Sequence, residues 1–139
     1  MFTFFDHTGD VGIDIRAASV GELFADAARA FCDTITDVAG VRADAALAIG
    51  LSAPGLDLLL VDWLSELLYR FDTEGFLPAA ADVAIRREAD AWRLRARVAG
   101  EAGAASRLPI KVLVKAVTYH ALRVERDPDG WGARVILDI

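Results

Sequence analysis

Two carboxylates carry the first chemical signal in this chain. Asp10 stands in a tight turn, Thr8-Gly9-Asp10, and Asp138 stands one residue before the last of 139. If the last strand runs beside the first, Asp10, Asp138 and the α-carboxylate of Ile139 come together as hard oxygen donors. Carboxylates crowded in this way repel one another unless a cation joins them, and an all-oxygen set suits Ca²⁺, Mg²⁺ or Mn²⁺ rather than zinc. Spacing alone leaves a second reading open, with Asp10 as a turn former and Asp138 as a solvated charge at a fraying chain end.

Other reactive side chains give less. His7 and His120 sit far apart on predicted strands; they could converge on one metal, and packed or surface histidines explain them equally simply. Cys32, the single cysteine, lies beside Phe31 near Ile35 on a predicted helix and reads as a small buried hydrophobe. Alone, it excludes an intrachain disulfide and a cysteine-built zinc site, and it suits a reducing cytosol. Arg93, Arg95 and Arg97 form a one-sided basic stripe, for which a solvated sheet face and a binding patch are both adequate readings. Gly9 to Gly12 gives only G-x-x-G, short of a phosphate-cradling loop, and no serine sits in a G-x-S-x-G elbow.

The elements that must position these residues follow from periodicity. Val11, Ile13 and Ile15 alternate with Gly12, Asp14 and Arg16, predicting two short strands between Phe2 and Ala18. Ser19-Val20-Gly21-Glu22 has capping-box spacing, and Leu23, Phe24, Ala27, Ala28, Phe31 and Ile35 follow as a helical stripe, predicting a helix from Val20 to Thr36. A strand over Ala45–Ala53 ends at Pro54-Gly55. The next helix carries Leu59, Leu60, Trp63, Leu64, Leu67 and Leu68, widened by Leu58 and Val61, and should form the centre of the core. After Gly75 the period returns to two. Trp92, Leu94, Ala96 and Val98 oppose the arginine stripe, Ile110 to Val124 reads as one long strand, Asp127-Pro128-Asp129-Gly130 as a turn, and Trp131 to Ile139 as the last strand. The order predicts a single α+β domain over residues 1–139, two helices packed on a mostly antiparallel sheet as a two-layer sandwich.

Composition narrows the function classes. Fifteen Lys and Arg against 21 Asp and Glu leave a formal charge of −6, and 55% of the residues are hydrophobic. That excludes an intrinsically disordered chain. It also argues against holding nucleic acid by bulk counterion release, so any contact with RNA or DNA would have to be local. The opening residues lack the basic region of a signal peptide, and no stretch approaches the roughly 20 apolar residues of a membrane span, so a cytoplasmic protein is expected.

Four blocks, in order, resemble the archease family. Phe5-Asp6-His7-Thr8-Gly9-Asp10-Val11-Gly12-Ile13 is similar to its D-H-T-A-D-V-G opening. Leu59-Leu60-Val61-Asp62-Trp63-Leu64-Ser65-Glu66-Leu67-Leu68-Tyr69 is similar to its second-helix signature. Lys115-Ala116-Val117-Thr118-Tyr119-His120 resembles its K-A-V-T-Y-H strand, and Val135-Ile136-Leu137-Asp138-Ile139 its terminal L-D-I. The resemblance implies an accessory protein, not an enzyme. Its partner would be the RtcB-type RNA ligase of tRNA splicing, which takes GMP from GTP onto a histidine with Mn²⁺ and seals an RNA 3′-phosphate to a 5′-hydroxyl. The accessory protein would promote guanylylation and multiple turnover, meeting RNA only through the ligase.

The resemblance also implies a metal site at Asp10, Asp138 and Ile139, with calcium the expected cation and magnesium or manganese alternatives. Arg107 and Lys115 become candidates for touching the partner. Three departures bear on this. Gly9 replaces the family's usual Ala, Leu108 stands where a His commonly follows the basic residue, and Leu113 stands where an acid is common. Two rival functions follow from the residues: a general chaperone or adaptor using the sheet face around Trp92 and Trp131, and a metal-dependent hydrolase with His7 or His120 as base.

Overall fold

In a computed structural model of the protein the described residues are 1–7 and 9–139, His7 by its backbone alone. Strands β1 (Phe2–His7) and β2 (Asp10–Ala17) form the first hairpin, and helix α1 spans Val20–Ile35. The Glu22 N–H donates to Ser19 Oγ at 3.2 Å, so the predicted cap starts α1 where the sequence places it. Strand β3 covers Ala45–Ala53 and helix α2 covers Leu56–Glu74. Gly75 ends α2 in the left-handed conformation at φ 63°, its N–H returning to Phe71 O at 2.8 Å. There follow β4 (Leu77–Glu88), β5 (Ala91–Glu101), β6 (Ala116–Val117), β7 (Arg123–Asp127) and β8 (Gly130–Asp138).

Every strand pairing is antiparallel, and the strands divide between two sheets. One sheet runs β1-β2-β8, with β6 and β7 both on the far edge of β8; the other runs β3-β5-β4. The two helices pack against both sheets and against each other. Their apolar stripes meet in a core that includes Phe24 and Phe31 of α1 and Leu60, Trp63, Leu64 and Leu67 of α2, all fully buried. Trp63 closes the contact between helices: its Nε1–H donates to Phe24 O at 2.9 Å. No helix among the described residues is long and apolar enough to cross a membrane.

The long strand expected over Ile110–Val124 is not formed. From that stretch only β6 and the start of β7 pair with β8, and His120 lies in the turn between them. The reason lies in the count of residues. From Val117 to Arg123 the chain takes six steps, while β8 takes three between their partners Leu137 and Arg134. The surplus bulges out through Ala121, at φ 53°, and a Leu122 N–H to Tyr119 O bond.

A second anchor lies at the end of β5. The Glu101 side chain is 7% exposed and accepts from Arg107 Nε and Nη2 at 2.7 and 2.6 Å and from the Arg42 N–H at 2.9 Å. The Arg107 guanidinium first, and the Arg42 amide after it, hold the Glu101 carboxyl at about 2, below its ordinary 4.5. A pKa depressed on folding stabilises the protein above the unfolded value, and that contribution disappears as pH falls through the folded one. Urea unfolding of the parent and Glu101→Gln should therefore show a stability difference that is full at neutral pH and shrinks between about 4.5 and 2. A difference constant across that window contradicts the assignment.

Candidate functional site

The site is built on β8, the strand that holds the centre of its sheet. On one side β2 pairs along nearly its whole length, with Asp10 the direct partner of Asp138 and Gly12 the partner of Ile136. On the other side Ala116 pairs with Asp138, the Lys115 N–H donates to Asp138 O at 2.7 Å, and the Thr118 N–H and Oγ1 donate to Ile136 O at 3.0 and 2.9 Å. Asp138 is thus held in register beside β2 and hydrogen-bonded through its carbonyl to the segment on its other side, and is not a fraying end. Ile139 follows with its side chain packed against the core, which locates the last residue beside the pair.

Residues directly opposite in an antiparallel pair present their side chains on one face, with Cβ atoms about 4.5–5.5 Å apart. Asp10 and Asp138 are both half-buried there. Like charges so placed are destabilising unless something positive lies between or beside them. Among the described residues no three His, Cys, Asp or Glu side chains group as a metal site. The register brings together two acidic side chains, Asp10 and Asp138, and Ile139 follows the second of them. The backbone register also places His7 opposite Asp10. Thr8 and the His7 side chain lie outside the described residues, so the parts of the metal and hydrolase readings that fall on them do too.

Behind the two aspartates the same sheet face is locked. Arg134 Nε and Nη2 donate to the two Asp14 oxygens at 2.7 and 2.8 Å, and its guanidinium lies 4.3 Å from the centre of the Phe5 ring. The guanidinium holds the Asp14 carboxyl below the ordinary carboxylate range. A Cβ on Gly12 would meet the Phe5 ring at 2.1 Å, so the glycine makes room for the ring. Reading the sequence missed this support. Its signal was the alternation of Gly12, Asp14, Ile136 and Arg134 on one face of two strands whose pairing was unknown.

The remaining candidates scatter. Arg107 serves inside the protein, donating through Nη2 to Gly40 O at 2.7 Å as well as to Glu101. Lys115, whose N–H meets Asp138 O, has an exposed side chain, and Leu113 and Tyr119 of the same segment are exposed too. Cys32 is fully buried, and burial pushes its thiol up to about 12, which suits a packed hydrophobe and no nucleophile. Trp92 and Trp131, grouped in the adaptor reading, lie in different sheets, each packed against the core with an arginine over its ring.

Residues 2–139 match the model of the archease protein family (MTH1598/TM1083). The chain belongs to the archease family. It is 37% identical to protein archease of Methanosarcina barkeri, with 99% of this chain and 95% of that one covered. It is 36% identical to protein archease of Archaeoglobus fulgidus, over 99% and 98% of the two chains. The fold is that of Methanobacterium thermoautotrophicum protein 1598, whose solution structure superposes with a TM-score of 0.87 at 32% identity, covering 99% of this chain and 98% of that one. Membership of the archease family supports an accessory role in tRNA processing.

Proposed function

We propose that this chain activates an RtcB-type tRNA-splicing ligase, promoting its guanylylation and its multiple turnover without itself catalysing a step. The observation that carries the reading is the register pairing of Asp10 with Asp138 at the end of a central strand. A rigid sheet presents two carboxylates there and locates a terminal carboxylate on the next residue. This is a donor set for calcium, or for magnesium or manganese in its place. When bound, such a cation supplies a fixed positive charge that can orient phosphate oxygens.

The protein's own residues supply the rest. Asp10 and Asp138 hold the cation and give the tip its acid character, and the Asp14–Arg134–Phe5 stack keeps the sheet face beneath them rigid. A chain of charge −6 is steered towards a basic, metal-bearing, phosphate-binding cleft more readily than towards free RNA. Lys115, joined by its backbone to Asp138, and the exposed Leu113 and Tyr119 of the same segment would contact the ligase around its mouth. The ligase holds the RNA being joined.

The test is a multiple-turnover RNA ligation assay with the matching ligase. The parent chain should carry the ligase through many rounds, and a chain lacking Asp138 and Ile139 should leave it near a single round. Equal turnover with either chain overturns the reading. Ligase binding that survives both divalent chelation and this truncation, with turnover unchanged, points instead to a general adaptor.

A further inference from the structure

The outer face of the β3-β5-β4 sheet is chemically unlike the rest of the molecule. Arg93, Arg95 and Arg97 of β5 are exposed in a straight row down its middle strand. Alternate residues of a strand are roughly 6.5–7 Å apart, comparable with successive phosphates along an extended single strand. On the β3 side their register partners are Ser52, Gly50 and Ala48; on the β4 side they are Arg86, Ala84 and Asp82. Small side chains therefore line the β3 side of the row and flank Arg95 on both sides, leaving a trough beside the guanidiniums, with Arg86 and Asp82 across from Arg93 and Arg97. A concavity of about 600 Å³ includes Gly50, Ser52, Ala84, Arg93 and Arg95, and a separate smaller one of about 150 Å³ includes Asp82, Arg97 and Ala99.

The charges on this face are not internally neutralised. Glu88 pairs with Arg86 at 2.8 Å and with Arg93. Among the described residues neither Arg95 nor Arg97 has a carboxylate within 4.0 Å, although Asp82 is the register partner of Arg97. Four arginines against two acids leave a local positive excess on a chain whose formal charge is −6. Leu51, Ile85 and Leu94 also line the larger concavity but stand at the strand positions alternate to the arginine row, and the arginine positions and their register partners include no aromatic or large apolar residue of the kind that anchors a protein partner. The row has nothing on which a base would stack. What it offers is evenly spaced planar forks that match phosphate oxygens.

We propose that this face binds the phosphate backbone of single-stranded RNA, without base specificity, over about three phosphates. The choice of RNA over DNA rests on the family's place in tRNA processing. The backbone chemistry rests on the arginine row alone. This is the local contact that the net charge left open. The acid character of the remaining surface limits the footprint to the trough and makes the interaction weak, with a dissociation constant of roughly 10⁻⁵ to 10⁻⁴ M at moderate salt.

The experiment is fluorescence anisotropy of a labelled oligouridylate of about 12 nucleotides titrated with the full chain between about 50 and 200 mM salt. Three phosphate contacts give a log–log salt slope of about −2, and Arg95→Gln/Arg97→Gln should weaken binding about tenfold or more and flatten the slope to about −0.7. Asp82→Asn should tighten binding, and Asp138→Ala, in the other sheet, should leave it unchanged. That last arm separates failure here from failure of the ligase-activator reading. The proposal is overturned if the parent chain does not bind, if the double arginine variant binds as the parent does, or if a polyglutamate peptide competes as well as RNA, which would assign the face to an acidic protein. Unchanged circular dichroism and thermal midpoint of the variant confirm that a loss of binding is not a loss of fold.

Discussion

Asp138→Ala and Asp10→Ala should each leave the fold intact and abolish the response of the protein to calcium. Both side chains are half-buried at the end of the β2–β8 ladder, and neither fills the core. Without divalent cation the variants should unfold within about 0.5 kcal/mol of the parent, since neither half-buried side chain fills the core. With calcium the parent gains stability by mass action, about 2.7 kcal/mol at a concentration 100 times the dissociation constant. The variants should gain none, and a chelator should return the parent to its metal-free midpoint. Differential scanning calorimetry with calcium and with chelator reads both effects. A calcium shift that persists in either variant would mean that the cation binds elsewhere.

The second large effect concerns the core. Trp63 is fully buried, and its indole N–H bridges to Phe24 O, so it joins the two helices by volume and by a hydrogen bond. Trp63→Ala should cost about 3–5 kcal/mol, the range for emptying a large aromatic site, and lower the thermal midpoint by roughly 10–20 °C. That is a large share of the 5–15 kcal/mol that typically separates folded from unfolded states. Trp63→Phe keeps most of the volume and loses the hydrogen bond, and should cost about 1–2 kcal/mol. Equal losses in the two variants, measured by urea unfolding, would show that the bond and not the packing carries the effect.

The sequence made legible those elements whose ends carry local chemistry. Ser19 caps α1, Pro54-Gly55 separates β3 from α2, and Gly75 stops α2 in a conformation that glycine adopts without strain. The alternation of Arg93, Arg95 and Arg97 with Leu94, Ala96 and Val98 identified both faces of β5. The stretch after Ile110 failed for the complementary reason. Its turn passes through Ala121 at a positive φ, with neither glycine nor proline to mark it, so the apolar alternation reads straight across the bulge. The Ala89-Asp90 turn between β4 and β5 likewise places an alanine at φ 52°.

The tip was legible only in part. Residue type and spacing nominated Asp10 and Asp138, yet their pairing depends on β8 inserting beside β2 across almost the whole chain, which no local pattern encodes. That insertion entered only as a condition, that the last strand lies beside the first, and the register places β8 beside β2, the second strand of the hairpin. Nothing local indicated that Arg107 would close on Glu101 and Gly40, because all three meet only once β5 and the segment after α1 are in place.

The most direct test of the central claim is the yield of covalent ligase–GMP formed from labelled GTP by the matching ligase. The parent chain, Asp10→Ala and Asp138→Ala are compared at equal concentration. Activation through the acidic tip predicts that the parent raises the yield several-fold and that both variants, though folded, leave it at the level of the ligase alone. Stimulation by the two variants equal to that of the parent would contradict it.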